Sequence, residues 1–373
     1  MKTIKSDQEI QDFVRGCTFM GTGGGGDPKD GIAWLTATRD DGLSITWVDA
    51  SDIPDDEWTV CPFLMGSIAP LNEEAKKRMK HLGLDKDAFK SIQAESVRLL
   101  EEYMDVKVRA IVPIELGGSN TPGAIAAAAR LGISAVDGDY TGRAIPEVPQ
   151  TTPYLEGLPL WPISSVDKYG NFCIIKESVG YEMAERIGKF IAAASFGLAG
   201  QAGFLFKGKD MKRVVIHKTL SRCMEIGHLI RTSRDAGKDP VLEVVKNLNG
   251  WFLFEGKISK KEWEDKEGYY WGTHTISGEK SFKGKELKVW FKNENHVSWL
   301  DGKPYITSPD MLIVVDRDSG EPYVNSAIEE GYRVAVIGLH AIDKFQSPKG
   351  LKILGPRHFG FEIAYNPIED LVS

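Results

Sequence analysis

Cysteine is scarce in this chain of 373 residues, and the four present, Cys17, Cys61, Cys173 and Cys223, stand far apart. No C-x-x-C pair occurs, so neither a disulfide framework nor a zinc ribbon is expected, and a reducing cytoplasm is the natural compartment. No apolar run reaches the ~20 residues that a membrane-spanning helix needs. The nearest case, 190–206, is free of charge between Lys189 and Lys207 but contains Ser195, Gly197, Gly200, Gln201 and Gly203. It reads as a buried helix end, a glycine turn and a buried strand, and no membrane association is expected. The first residues, Met1 to Ser6, lack the apolar stretch of a signal peptide. Basic blocks are missing too. With 46 Lys and Arg against 53 Asp and Glu, a net charge of -7, nucleic acid is not the expected partner, because phosphate binding is driven by clustered cations. There is no internal repeat and no low-complexity tract, and the length suffices for more than one domain with ample core.

What the chain has in excess is glycine in one place. Gly21-Thr22-Gly23-Gly24-Gly25-Gly26 is followed at once by Asp27-Pro28, a good N-cap and a good first helical residue. A loop this rich in glycine lets main-chain N–H groups approach a partner closely, and a helix start favours anions or developing oxyanions. Gly21, Gly23 and Gly26 formally satisfy G-x-G-x-x-G, but the dinucleotide fingerprint needs a strand in front of it. Here Ile10, Phe13, Val14 and Cys17 fall at helical spacing instead, and no Gly-Lys-Ser or Gly-Lys-Thr follows, so no nucleotide is expected. The plainer reading of the loop is a hinge or tight turn.

Residues 108–114 form a short β-branched run, and 115–120 a loop. Thr121-Pro122 opens an alanine-rich helix to 131, and 133–136 is a second strand. Strand, helix, strand at this spacing is a βαβ unit with parallel strands, whose two loops emerge at the carboxyl edge where open α/β sheets bind ligands. Glu115, Asn120, Asp137, Asp139 and Arg143 then share one cleft, joined by Ser67 if the strand expected over 58–64 is parallel to the others. Asp137 and Asp139 suit a divalent cation, a general base or the fixing of Arg143; the structural alternative is that they cap the turn.

Five prolines fill 146–162, which reads as a linker or a rigid excursion. Helices are expected over 72–82, 85–103, 181–194, 219–236 and 239–247. Short alternating segments follow at 251–254, 269–276, 286–291, 296–300, 311–315, 334–339 and 361–365, the pattern of a small antiparallel barrel or sandwich. The expected division is an α/β domain over 1–165 and a domain of helices and β-barrel over 166–373. Asn293-Glu294-Asn295-His296 is unusual in such a stretch. It is either a bulge or hairpin corner, or a set of amide and carboxylate groups that recognises an amide-like ligand. Gly355 to Gly360 reads as an exposed turn or, through Arg357, as an anion clamp. Glu225 and His228 at i, i+3 are half of a di-iron pattern without its other half.

Taken together, GTGGGGDP at Gly21 to Pro28, the Met65-Gly66-Ser67 loop, Glu115-Leu116-Gly117-Gly118-Ser119-Asn120, DGDYTGRAIPE from Asp137 to Glu147, Asn293-Glu294-Asn295, Pro309-Asp310 and Gly355-Pro356-Arg357 resemble the S-methyl thiohydantoin desulfurase family. The motifs run in the same order over essentially the whole chain. The resemblance implies a three-layer α/β domain with parallel strands followed by a β-barrel-like domain. It implies chemistry on a five-membered hydantoin-type ring, with water added at the S-methylated carbon and methanethiol lost.

In that picture the catalytic groups are Asp137, Asp139, Glu115 and Arg143. Asp137 or Asp139 acts as general base or metal ligand, Glu115 donates a proton, and Arg143 or the glycine-loop N–H groups stabilise developing charge. Substrate is held by Thr22, Gly23, Gly24, Gly25, Ser67, Asn120, Asn293, Glu294 and Asn295. The partner is a small cyclic amide; a divalent metal ion and a homo-oligomer are left open. A second class of function is a non-catalytic accessory or ligand-binding subunit of a hydantoinase/oxoprolinase system.

Overall fold

The computed structural model describes residues 1–66, 72–84 and 86–372. Among these described residues the main strands form an eight-stranded mixed sheet and a seven-stranded antiparallel one.

The first sheet runs in the order Lys2–Ile4, Ile45–Val48, Ser134–Val136, Val108–Ile111, Trp58–Gly66, Leu198–Lys207, Ile163–Asp167 and Phe172–Ile175. The four strands from Ile45–Val48 to Trp58–Gly66 are parallel to one another, as the βαβ spacing requires; the strands on either side of them pair antiparallel. The chain therefore stays in this layer to Lys207, beyond position 165. Alternate side chains of Trp58–Gly66 point to opposite faces. Val60 joins the core beneath the helices Ile92–Met104 and Asn120–Leu131, while Cys61, Phe63 and Met65 join the core beneath Tyr181–Ala194 and Gly208–Val214. Helices on both faces make the three layers.

The helix Asp7–Met20 starts on a capping box between Ser6 and Glu9, and it crosses Thr219–Asp235 at close range. The approach needs Gly16, where an added Cβ would stand 1.7 Å from the carbonyl oxygen of Cys223. The crossing aims the end of the first helix, and with it the glycine loop, into the space between the two sheets.

The second sheet has the order Lys303–Thr307, Glu294–Leu300, Glu286–Lys292, Tyr269–Gly278, Trp251–Lys266, Arg333–Leu339 and Met311–Asp316. It curls until its ends approach, and the Asn295 side-chain amide donates to the Leu312 carbonyl across them at 2.9 Å. A half-barrel results, consistent with the barrel-like pattern.

Three elements differ from expectation. Residues 361–365 form no strand; their side chains are spent on other contacts, the Phe361 ring meeting Trp290 and Trp299 edge-on with ring centres 4.9 and 5.4 Å away and the Tyr365 hydroxyl donating to Asp310 Oδ2 at 3.1 Å. The strand expected over 251–254 continues to Lys266, its charged, exposed half held by the ladder to Tyr269–Gly278 and by Lys261, whose N–H donates to Glu330 Oε1 at 3.1 Å and whose ammonium donates to the Ile328 carbonyl at 2.7 Å. The helix expected from 85 begins at Ile92, where the Ser91 hydroxyl accepts the Ala94 N–H at 3.2 Å. Helices Tyr181–Ala194, Thr219–Asp235 and Pro240–Asn247 lie where the apolar spacing put them.

Candidate functional site

The glycine loop is gripped from three sides. The carbonyl of Thr22 accepts the Asn295 N–H (2.8 Å), that of Gly23 the Asn325 N–H (2.7 Å), and that of Gly25 the N–H groups of Ser119 and Asn120 (3.0 and 3.2 Å). Asp27 caps the helix Pro28–Asp40 through the Lys29 N–H at 2.9 Å. The glycines are required by protein as well as by any ligand. A Cβ on Gly24 would stand 1.9 Å from Glu294 Oε1, and one on Gly26, whose φ is +87°, 1.8 Å from Ser119 Oγ. Four loop N–H groups are used within the protein: Gly21 and Thr22 donate to the carbonyls of Cys17 and Phe19 at 2.9 and 3.4 Å, Gly24 to the Gly21 carbonyl at 2.9 Å and Gly25 to Glu294 Oε1 at 3.3 Å.

Beside the loop lies a cavity of about 390 Å³ at the carboxyl edge of the parallel strands, where the half-barrel meets the first sheet. Gly23, Gly24, Gly25, Glu115, Asn120, Asn293 and Glu294 all line it, although they come from opposite ends of the chain. Phe63 and Trp34 supply apolar wall. The lining is acidic: Asp27, Asp30, Glu115, Glu147, Glu185 and Glu294 face Lys189, the one cation among the described lining residues.

Glu115 stands midway along the loop between Val108–Ile111 and Asn120–Leu131 and is oriented on both oxygens. Asn120 Nδ2 donates to Oε1 and the Ile145 N–H to Oε2, each at 2.8 Å, while Asn120 Oδ1 accepts the Leu64 N–H at 3.0 Å. The Asn120 amide thus orients Glu115 and the adjacent strand. Burial pushes the Glu115 carboxyl up to about 7, against the pull of those two donors. Glu294 follows a hairpin corner at Asn293, whose φ is +59° and whose side-chain oxygen accepts the Tyr270 N–H at 2.8 Å. Glu294 Oε1 takes the Gly25 N–H, and Oε2 is buried without a protein partner. Burial, then the neighbouring Glu115, push this carboxyl well above the usual range. Glu147 behaves oppositely. Burial raises it, but the 2.8 Å contact with His358 Nε2 and the Lys292 ammonium overcome that and hold it at about 2.

Asp137, Asp139, Arg143, Thr22 and Asn295 do not line this cavity. Asp137 caps the helix Thr219–Asp235, accepting the Ser221 N–H at 2.9 Å and its hydroxyl at 2.5 Å. Asp139 closes its own turn, accepting the N–H groups of Thr141 and Gly142 at 2.9 and 2.7 Å; burial lifts its carboxyl to about 6. Arg143 is buried behind the glycine loop in a cage of oxygens. It donates to Thr22 Oγ1 (2.9 Å) and to the carbonyls of Asn295 (3.0 Å), Ala144 (3.0 Å) and Pro309 (3.3 Å), so it joins the loop to the half-barrel. Burial lowers its pKa to about 10, and it keeps its charge at neutral pH. Ser67 lies outside the described residues.

Among the described residues no three His, Cys, Asp or Glu side chains come together as a metal site. Glu225 and His228 are exposed, and His228 Nδ1 faces Arg231 at 3.1 Å. Among the cavity residues to which the sequence assigns no role are Glu147, inside the DGDYTGRAIPE motif, and Glu185 and Lys189, which lie on the helix expected over 181–194 at i, i+4 spacing.

Residues 8–177 match the family model for the S-Me-THD-like N-terminal domain, and residues 179–368 that for the S-Me-THD-like C-terminal domain. Curated proteins gave no match. An X-ray structure of a protein from Chromobacterium violaceum is similar in fold, with a TM-score of 0.77 at 20% identity over 99% of this chain and 100% of that one. With both domain models matched in order around one shared cavity, the chain belongs to the S-Me-THD-like family.

Proposed function

We propose that the cavity is the active site of a hydrolase that adds water to the S-methylated carbon of a hydantoin-type ring and releases methanethiol. The observation that carries this reading is the pair of buried carboxyls, Glu115 and Glu294, on one cavity wall. Both are raised, so that near neutrality the pair shares a proton between a base and an acid.

Water approaches the ring carbon and gives a proton to Glu115, while protonated Glu294 donates to the ring nitrogen of the C=N bond. The resulting neutral adduct loses its hydroxyl proton to the Glu294 carboxylate as the C–S bond breaks, which leaves a ring carbonyl and a thiolate that takes up one proton. The asymmetry of the two partners supports these roles. Glu115 is held by two N–H donors that favour its charged form, whereas Glu294 Oε2 has no protein partner and is free to donate. Asn293 lines the same space, and with its side-chain oxygen engaged by Tyr270 its amide N–H group suits a ring carbonyl.

The test is thiol release by the purified protein from S-methyl thiohydantoin, followed with a thiol-reactive dye. Turnover is expected without a second protein. A protein that binds the ring but releases no thiol would instead favour the accessory, ligand-binding function.

A further inference from the structure

The proposed reaction ends on a thiolate that needs a proton; at that moment Glu115 holds the proton taken from the attacking water and Glu294 is receiving the hydroxyl proton. Among the described residues the cavity wall offers one cation. Lys189, on the helix Tyr181–Ala194, lines this cavity and also a second one of about 770 Å³, which shares Glu147, Glu185 and Lys189 with the first. Its ammonium therefore stands where the two spaces meet. Lys292 lines the second cavity alone and is paired with Glu147.

We propose that Lys189 is the general acid of the proposed desulfurisation, donating a proton from Nζ to the departing methanethiolate as the C–S bond breaks. The proton returns to Lys189 from Glu115, which took it from the attacking water, so that ring plus water gives hydantoin-type product plus thiol with no net proton change. The inference rests on the function proposed above.

Three contacts fix the ammonium without exhausting it. Nζ lies 3.9 Å from the centre of the Tyr269 ring, 3.3 Å from the Gly268 carbonyl oxygen and 3.7 Å from Glu185 Oε1. An ammonium carries three N–H donors, and only the Gly268 carbonyl is within hydrogen-bond distance, so donors remain for the cavity. Glu185 is a positioning residue, held in turn by the Val148 N–H at 2.9 Å and the Tyr269 hydroxyl at 3.2 Å. Burial lowers the Lys189 pKa, chiefly by desolvating the charge, which makes it a readier donor than a solvated lysine.

The experiment compares two substrates of similar size, the S-methyl ring and its S-trifluoroethyl analogue, whose thiolate is a much better leaving group and needs little proton assistance. Lys189→Met should lose about 10²- to 10⁴-fold in kcat on the S-methyl ring, the usual worth of a general acid, and less than tenfold on the analogue. Lys189→Arg keeps the charge and the contact with Glu185 yet releases no proton, and it should show the same selective loss in a protein with wild-type melting behaviour. Equal losses on both substrates in either variant, or no loss on either, would overturn the role of Lys189. Failure of the wild type on both substrates would overturn the reaction itself, and needs no variant to be seen.

Discussion

In the proposed reaction the chemistry rests on two single side chains kept from water, Glu294 and Glu115. A carboxyl whose folded pKa is raised keeps its proton in a range where the unfolded chain has already lost it. Stability is then highest below the ordinary carboxyl range and declines as pH rises toward the folded value. For Glu115 that window runs from about 4.5 to about 7. Each such group contributes a decline of at most about 1.4 kcal/mol per pH unit. Glu294→Gln should flatten the fall in urea midpoint between pH 5 and pH 7 relative to wild type; parallel curves would mean that Glu294 is ionised in the folded protein. The sequence made Asn293-Glu294-Asn295 conspicuous, but not which of its members faces ligand. The strand's alternation decides that, turning Glu294 to the glycine loop and the Asn295 amide to Leu312. Lys189 was illegible for a different reason. A lysine four residues after a glutamate is what an ordinary solvated helix carries, and only the half-barrel hairpin, laying Tyr269 against it, removes it from solvent.

At the scale of elements, the carboxyl edge of the βαβ unit is where the pattern of apolar runs put it, and two loops at that edge have different duties. The loop after Val108–Ile111 turns Glu115 into the cavity, whereas the loop after Ser134–Val136 turns Asp137 away to the start of Thr219–Asp235. Nothing local in the sequence distinguishes the two, since the deciding partner, Ser221, lies 84 residues further along. Asp137→Asn should therefore cost about 0.5–2 kcal/mol of stability, the usual worth of a lost cap, as measured by urea unfolding. A change below about 0.3 kcal/mol would show that the cap contributes little. The 361–365 segment teaches the converse. Its alternation is real, yet it serves the seating of Phe361 against Trp290 and Trp299 rather than strand pairing.

Over the whole molecule, the site exists because two modules close on one loop. The glycine loop reaches the half-barrel through Asn295, Asn325 and Glu294, and reaches the first sheet through Ser119 and Asn120. Arg143 reinforces the junction from behind without lining the cavity. The separation in sequence between Gly25 and Glu294, 269 residues, is why motif order suggested a shared cleft while only the folded chain shows which acids line it. The most direct measurement is thiol release from S-methyl thiohydantoin by Glu294→Gln and Asp137→Asn beside wild type, under saturating substrate. The expected result is a loss of about 10²- to 10⁴-fold in kcat for Glu294→Gln, with Asp137→Asn within a few-fold of wild type. Full activity in Glu294→Gln, with Asp137→Asn inactive yet folded, would contradict the placement of the chemistry in this cavity.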